Sequence, residues 1–170
     1  MSEDQSDAEL LQSIIGQSTG RTKVVIERGP VEKFADAVID PSRVYKSPAA
    51  AADAGLTGIP APPTMPIGFG YWGAFAELQE ATATGGRGMG EAFGRLMARG
   101  GLILHAEQEF TYHRPVVVGD VLVGEGKISD AYQKESKGHV MTFIVTETTW
   151  SDEETGEPVV TSSFNVMHRT

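Results

Sequence analysis

The chain has 170 residues, with 14 basic and 23 acidic side chains and a formal net charge of -9. That balance argues against binding along a phosphate backbone, which needs a basic surface. There is no cysteine, so disulfides, thiolate catalysis and cysteine-held metals are excluded.

The length fits one domain with a sizeable core. Residues 1–8 are polar and acidic and read as a loose tail. Leu10, Leu11, Ile14 and Ile15 follow helical spacing, so residues 1–19 are expected to be a tail plus a short helix ahead of a single domain over 20–170. No cationic segment precedes an apolar run, and no apolar run approaches the roughly 18 residues that cross a bilayer. Neither secretion nor membrane insertion is expected, and the chain reads as cytoplasmic.

Residues 21–27 form a first strand pattern. Pro30 suits the first turn of a helix whose buried side would be Val31, Phe34, Ala35 and Val38. A second small helix is expected from Pro48 to Ala54, with Gly55 as its C-cap. Residues 56–66, LTGIPAPPTMP, carry four prolines and read as a stiff extended crossing. Helical character returns over 67–81. The glycine-rich run 82–100 is either a mobile lid or a disordered excursion, with a helical turn around Ala92 to Met97. Its glycines match neither a Walker loop nor a GxGxxG turn.

The period then changes to that of strands, expected at 101–112, 120–130, 138–151 and 158–168. Helices followed by long strands indicate an α+β order with an antiparallel meander. In the strand at 101–112, alternation places Leu102, Leu104, Ala106, Gln108 and Phe110 on one side. Ile103, His105, Glu107, Glu109 and Thr111 take the other. Leu102, Leu104 and Phe110 are expected to face a helix. Pro115 ends the ladder, and Gly119-Asp120 turns the chain.

Several residues carry possible chemistry. Asp40 is a candidate general base or ligand-orienting carboxylate, although Asp-Pro also opens turns. Tyr45 suits hydrogen bonding better than base catalysis near neutral pH. His105 and His113 are the acid–base candidates, and on one unbroken strand they would share a face. Arg87, Arg95, Arg99 and Arg114 could neutralise a phosphate, Arg114 being best placed beside Pro115. No set of side chains at reliable spacing supports a metal.

Together, FADAVIDPSRVY (34–45), AGLTGIPAPPTMP (54–66) and HAEQEFTYHRPVVVGD (105–120) resemble the N-terminal-type MaoC-like dehydratase domain of the hot-dog superfamily. The resemblance spans about residues 20–168. It implies a curved antiparallel sheet wrapped around a central helix, and pairing with a second hot-dog subunit as a homo- or heterodimer. It also implies an acyl-CoA or acyl-ACP thioester as ligand and no cofactor. Pro63, Thr64, Gly68 and Arg114 are the expected substrate contacts.

Catalytic members of that family carry the pattern G-D-x-N-P-x-H. Here Ile39 stands at the Gly position, Asp40 at the Asp, Ser42 at the Asn, Arg43 at the Pro and Tyr45 at the His. The carboxylate is kept and the imidazole is lost. The resemblance therefore implies an acyl-thioester-binding subunit of an (R)-specific enoyl-CoA hydratase or 3-hydroxyacyl dehydratase, with the Asp/His pair on a partner chain. The alternatives are a homo-oligomeric hydratase or thioesterase using Asp40 with His105 or His113, and a non-catalytic acyl-binding or scaffold protein.

Overall fold

The computed structural model describes residues 3–79 and 87–169. Five strands form one antiparallel sheet: β1 (Ser18–Val25), β2 (Leu102–Tyr112), β3 (Val121–Ser136), β4 (His139–Asp152) and β5 (Pro158–Arg169), in the order β1-β3-β4-β5-β2. Strands β3 to β5 are the expected meander. Strand β2 lies beyond it, against β5, at the free edge. The helices are α1 (Glu3–Ile14), α2 (Arg28–Ala37), α3 (Pro48–Asp53), α4 (Phe69–Trp72) and α5 (Arg87–Ala98). None of the described helices is long and apolar enough to cross a membrane.

Paired residues on neighbouring strands share a face of the sheet. One face carries Leu122, Ile144, Trp150, Val160 and Val166, all buried, and is the inner one. Two cores form on it. The first joins Trp150, Val160 and Leu122 to Val31 and Ala35 of α2 and to Phe69 of α4. The Phe69 ring meets Trp150 edge-on at 5.4 Å. The second joins Ile144, Ile128 and Ala131 to Leu11 and Ile14 of α1 and Ala92 and Leu96 of α5. Each valine, leucine, isoleucine or phenylalanine among them contributes about 1.5–3 kcal/mol on burial. The tail expected over 1–8 is in fact helical from Glu3, because its continuation anchors the second core.

The expectation of a curved sheet wrapped around a central helix is overturned. The sheet is neither closed nor strongly curved about a helix. The stretch that would supply a long helix breaks into a 3-10 turn at Met65–Gly68, the single turn of α4 and another 3-10 turn at Ala76–Leu78. Gly73 marks one break. Its carbonyl accepts from the Val25 N–H at 3.0 Å, and a Cβ there would lie 2.5 Å from the Val25 oxygen. Only glycine lets the two backbones come this close. Gln79 continues the contact: its side chain accepts from the Lys23 N–H at 3.1 Å and donates to the Lys23 carbonyl at 2.8 Å. The outer row of β1 is thus occupied from within the chain.

The run 82–86 of the expected excursion lies outside the described residues, and 87–98 forms helix α5 rather than a single turn. Val38, expected on the buried side of its helix, is half-exposed, because α2 ends at Ala37.

Two β-bulges cross the sheet at one level. The register slips between Ile128 and Asp130 in β3 and between His105 and Glu107 in β2, on either side of the paired Val145 and Asn165. The β2 bulge corrects the face assignment made by alternation. Below it, Gln108, Phe110 and Tyr112 lie opposite Phe164, Ser162 and Val160 on the inner face. Above it, His105 lies opposite Val166 and Ile103 opposite His168. Leu102 and Leu104 are consequently turned away from the helices, at 65% and 42% exposure.

Candidate functional site

Asp40 is seated by the end of α2. The Asp40 N–H donates to the Ala35 carbonyl at 2.9 Å and the Ile39 N–H to the Asp36 carbonyl at 3.1 Å. This is a Schellman cap, and its left-handed position belongs to Ile39, at φ 60°. Glycine normally fills that position, because a β-branched side chain there strains the backbone. The Gly-Asp of the catalytic pattern is thereby explained as a cap and the carboxylate it presents. The Asp40 carboxylate accepts from the Ser42 N–H at 2.9 Å. Ser42 in turn caps the 3-10 turn Arg43–Tyr45, which carries Tyr45 inward.

Tyr45 is buried in the first core. Its burial, then the charge of Asp40 and a hydrogen bond with that carboxylate, hold its hydroxyl above the ordinary value. Tyr112, at the end of β2, is pushed up to about 12 by burial first and by Tyr45 second. Its hydroxyl donates to the Pro63 carbonyl at 2.9 Å. Both phenols stay protonated near neutral pH. Each can donate a hydrogen bond, and neither can act as a general base. Tyr45, Pro63, Tyr112, His113 and Arg114 line one cleft of 490 Å³.

The other expected site residues fall as follows. His113 shares that cleft, but its Nε2 is paired with Thr161 Oγ1 at 3.2 Å. Arg114 donates to Asp120 at 2.7 Å and to Asp152 at 2.8 Å, so its charge serves the loop junction. Thr64 is exposed and makes no side-chain capping bond. Gly68 is buried; a Cβ there would run into the Trp72 ring. His105 is remote from this cleft along β2 and lines two other hollows on the inner face. The two histidines are not on one face, because the bulge intervenes. Among the described residues no three His, Asp or Glu side chains converge as metal ligands.

Tyr112 was missed by sequence reasoning. Its signal was its place in the YHRP run, one residue before the first histidine considered.

The comparisons with known proteins agree with this geometry. The family described as "FAS1-like, dehydratase domain region" matches residues 13–162. This chain belongs to that family. A relative of the FAS1-like dehydratase-domain chain is a "UPF0336 protein" of Thermobifida fusca, 34% identical over 137 residues, or 81% of this chain and 78% of the relative. Among solved structures, the ChsH1-ChsH2 complex of Mycobacterium tuberculosis superposes with a TM-score of 0.71 at 18% identity, covering 97% of this chain and 89% of the other. The HadBC (3R-hydroxyacyl-ACP dehydratase) complex of the same organism gives 0.65 at 24% identity, covering 91% and 96%. The fold is that of the hot-dog MaoC-like dehydratases.

Proposed function

We propose that this chain is the acyl-thioester-binding subunit of an (R)-specific enoyl-CoA hydratase or 3-hydroxyacyl-CoA or -ACP dehydratase, with the Asp/His pair supplied by a partner hot-dog chain. As such a subunit it works in the cytoplasm. The observation that carries the reading is Tyr45. Where catalytic relatives hold an imidazole, this chain holds a buried phenol kept protonated beside Asp40. Adding water across an enoyl double bond needs a group that both takes and gives a proton near neutral pH. A phenol with a raised pKa gives hydrogen bonds and little else.

The free edge supports a partner of different sequence. On β2, Glu107 and Glu109 are exposed and stand opposite Asn165 and Ser163 rather than opposite bases. Two copies paired antiparallel about Gln108 would set Glu107 of one against Glu109 of the other. Like charges directly opposite are destabilising. A partner edge carrying lysine or arginine at those places would pair well. The related ChsH1-ChsH2 and HadBC structures are two-chain complexes.

The test is hydration of crotonyl-CoA by the purified chain, followed by loss of enoyl absorbance. Little turnover is expected alone, with recovery on adding a partner that carries an intact G-D-x-N-P-x-H segment. Substantial turnover by the pure chain, abolished in Asp40→Asn, would overturn the partner requirement.

One observation favours a second reading. His113 lines the same cleft as Tyr45. A homo-oligomeric hydratase or thioesterase could use it with Asp40 once its bond to Thr161 is released. Turnover by the pure chain that is lost in His113→Ala would select that reading.

A further inference from the structure

Strict alternation back from Tyr112 would bring Leu104 and Leu102 to the inner face of β2 and turn His105 outward. The extra residue at Ala106 reverses this: His105 is set opposite Val166, and two leucines are left in solvent. Bulges re-aim side chains in this way. His105 is exposed, so its ring stays open to a ligand instead of being enclosed by the fold.

His105 stands where two hollows of the inner face meet. The lower, of 360 Å³, is bordered by Tyr71, Gln108, Thr148 and Trp150. The upper, of 400 Å³, is bordered by Phe93, Ile103, Ile144 and Val166 and is apolar apart from His105 and Thr146. Phe164 also borders both, and the His105 ring lies tilted against it at 4.6 Å. Among the described residues neither ring nitrogen has a hydrogen-bond partner. Beside His105, the Gln108 amide spends its nitrogen on the Ser163 carbonyl at 3.0 Å and leaves Oε1 buried with no partner. Such an oxygen is costly to leave unpaired. The groove is therefore apolar above His105 and mixed below it, where Gln108, Thr148 and Ser162 stand beside Tyr71 and Trp150.

We propose that His105, with Gln108, is a specificity-determining station for an oxygen carried on the acyl chain far from the thioester. This rests on the acyl-thioester reading given above. The neutral imidazole offers one donor and one acceptor, and the Gln108 oxygen offers an acceptor. A hydroxyl satisfies both kinds of group, and a keto oxygen satisfies only the donor. His105 precedes Tyr112, which borders the Tyr45 cleft, by seven residues of β2. At a rise of about 3.3 Å per residue that is roughly 20 Å. The recognised oxygen therefore sits near the far end of a long chain, not at the carbon where hydration occurs.

The experiment is calorimetric titration of the full chain with three probes below their micellar concentrations: palmitoyl-CoA, its ω-hydroxy derivative and its ω-oxo derivative. The ω-hydroxy chain is expected to bind about tenfold more tightly than palmitoyl, with the ω-oxo chain between them. In His105→Leu, which supplies an apolar side chain and removes both ring nitrogens, the preference for the ω-hydroxy chain disappears. Gln108→Leu should narrow the gap between the hydroxy and oxo probes. Equal binding of all three probes by the wild-type chain overturns the station while leaving the acyl-thioester reading intact. So does a preference that survives in His105→Leu. Binding of none of the probes overturns the acyl-thioester reading itself, and the station with it. The wild-type comparison needs no variant to fold.

Discussion

Along β1, the outer hydrogen-bonding row is taken up by Gly73 and by the side chain of Gln79. Along β2, no described residue other than those of β5 bonds to the main chain, and Leu102 and Leu104 are exposed on it. An unpaired edge is a template for another strand, and proteins that stay monomeric block it. This chain blocks one edge with its own backbone and leaves the other open. The blocked edge belongs to the folding of the single chain. The open edge, with Glu107 and Glu109 and no base opposite them on β5, is the one that the proposed partner chain would pair with.

Substitutions can break that contrast at either edge. The largest effect is expected from Gly73→Ala. Its Cβ would collide with the Val25 carbonyl, forcing the chain off β1 at a cost of about 2–3 kcal/mol, read as a lower urea midpoint. Gln79→Ala removes the pair of bonds to Lys23 and should cost about 1–2 kcal/mol. It should also make β1 adhesive, seen as concentration-dependent light scattering. Leu104→Thr at the open edge should change the stability of the isolated chain by under about 0.5 kcal/mol, since the side chain is already in water. Its effect should appear only in native mass spectrometry with the partner present, as weaker association. A large loss of stability from Leu104→Thr alone would mean that β2 is not an assembly edge.

The strands were legible because β3, β4 and β5 are long runs separated by short turns at Gly138 and Gly156. The faces of β2 were not legible. Ala106 carries no glycine, proline or charge to announce a bulge, so alternation misassigned everything above it. The one hint was Gln108, which interrupts the apolar series and is now seen to sit inside the groove. The helix expected from the aromatic run at 67–81 failed for a tertiary reason: Gly73 is required by β1, and no local spacing reports that. At the site, Asp40 and Tyr45 were readable as a pair because both lie on one short turn. The role of Tyr112 needed the fold, since its partner Pro63 is far away in the chain. Arg114 read as a phosphate contact because sequence alone does not bring Asp120 and Asp152 to it.

The two bulges have a consequence for how this sheet can change. They sit on the strands flanking β4 and β5, at one level, while the central pair runs through with no slip between Met141 and Trp150. The extra residues at Ser129 and Ala106 act as a crease line across an otherwise continuous surface. Losing one alone would leave the sheet straight along one flank and bent along the other, with the unbroken strands twisted between them. The two insertions are thus tied to each other although neither touches the other. A chain that gave up the residue aiming His105 would be pressed to give up its counterpart in β3 as well.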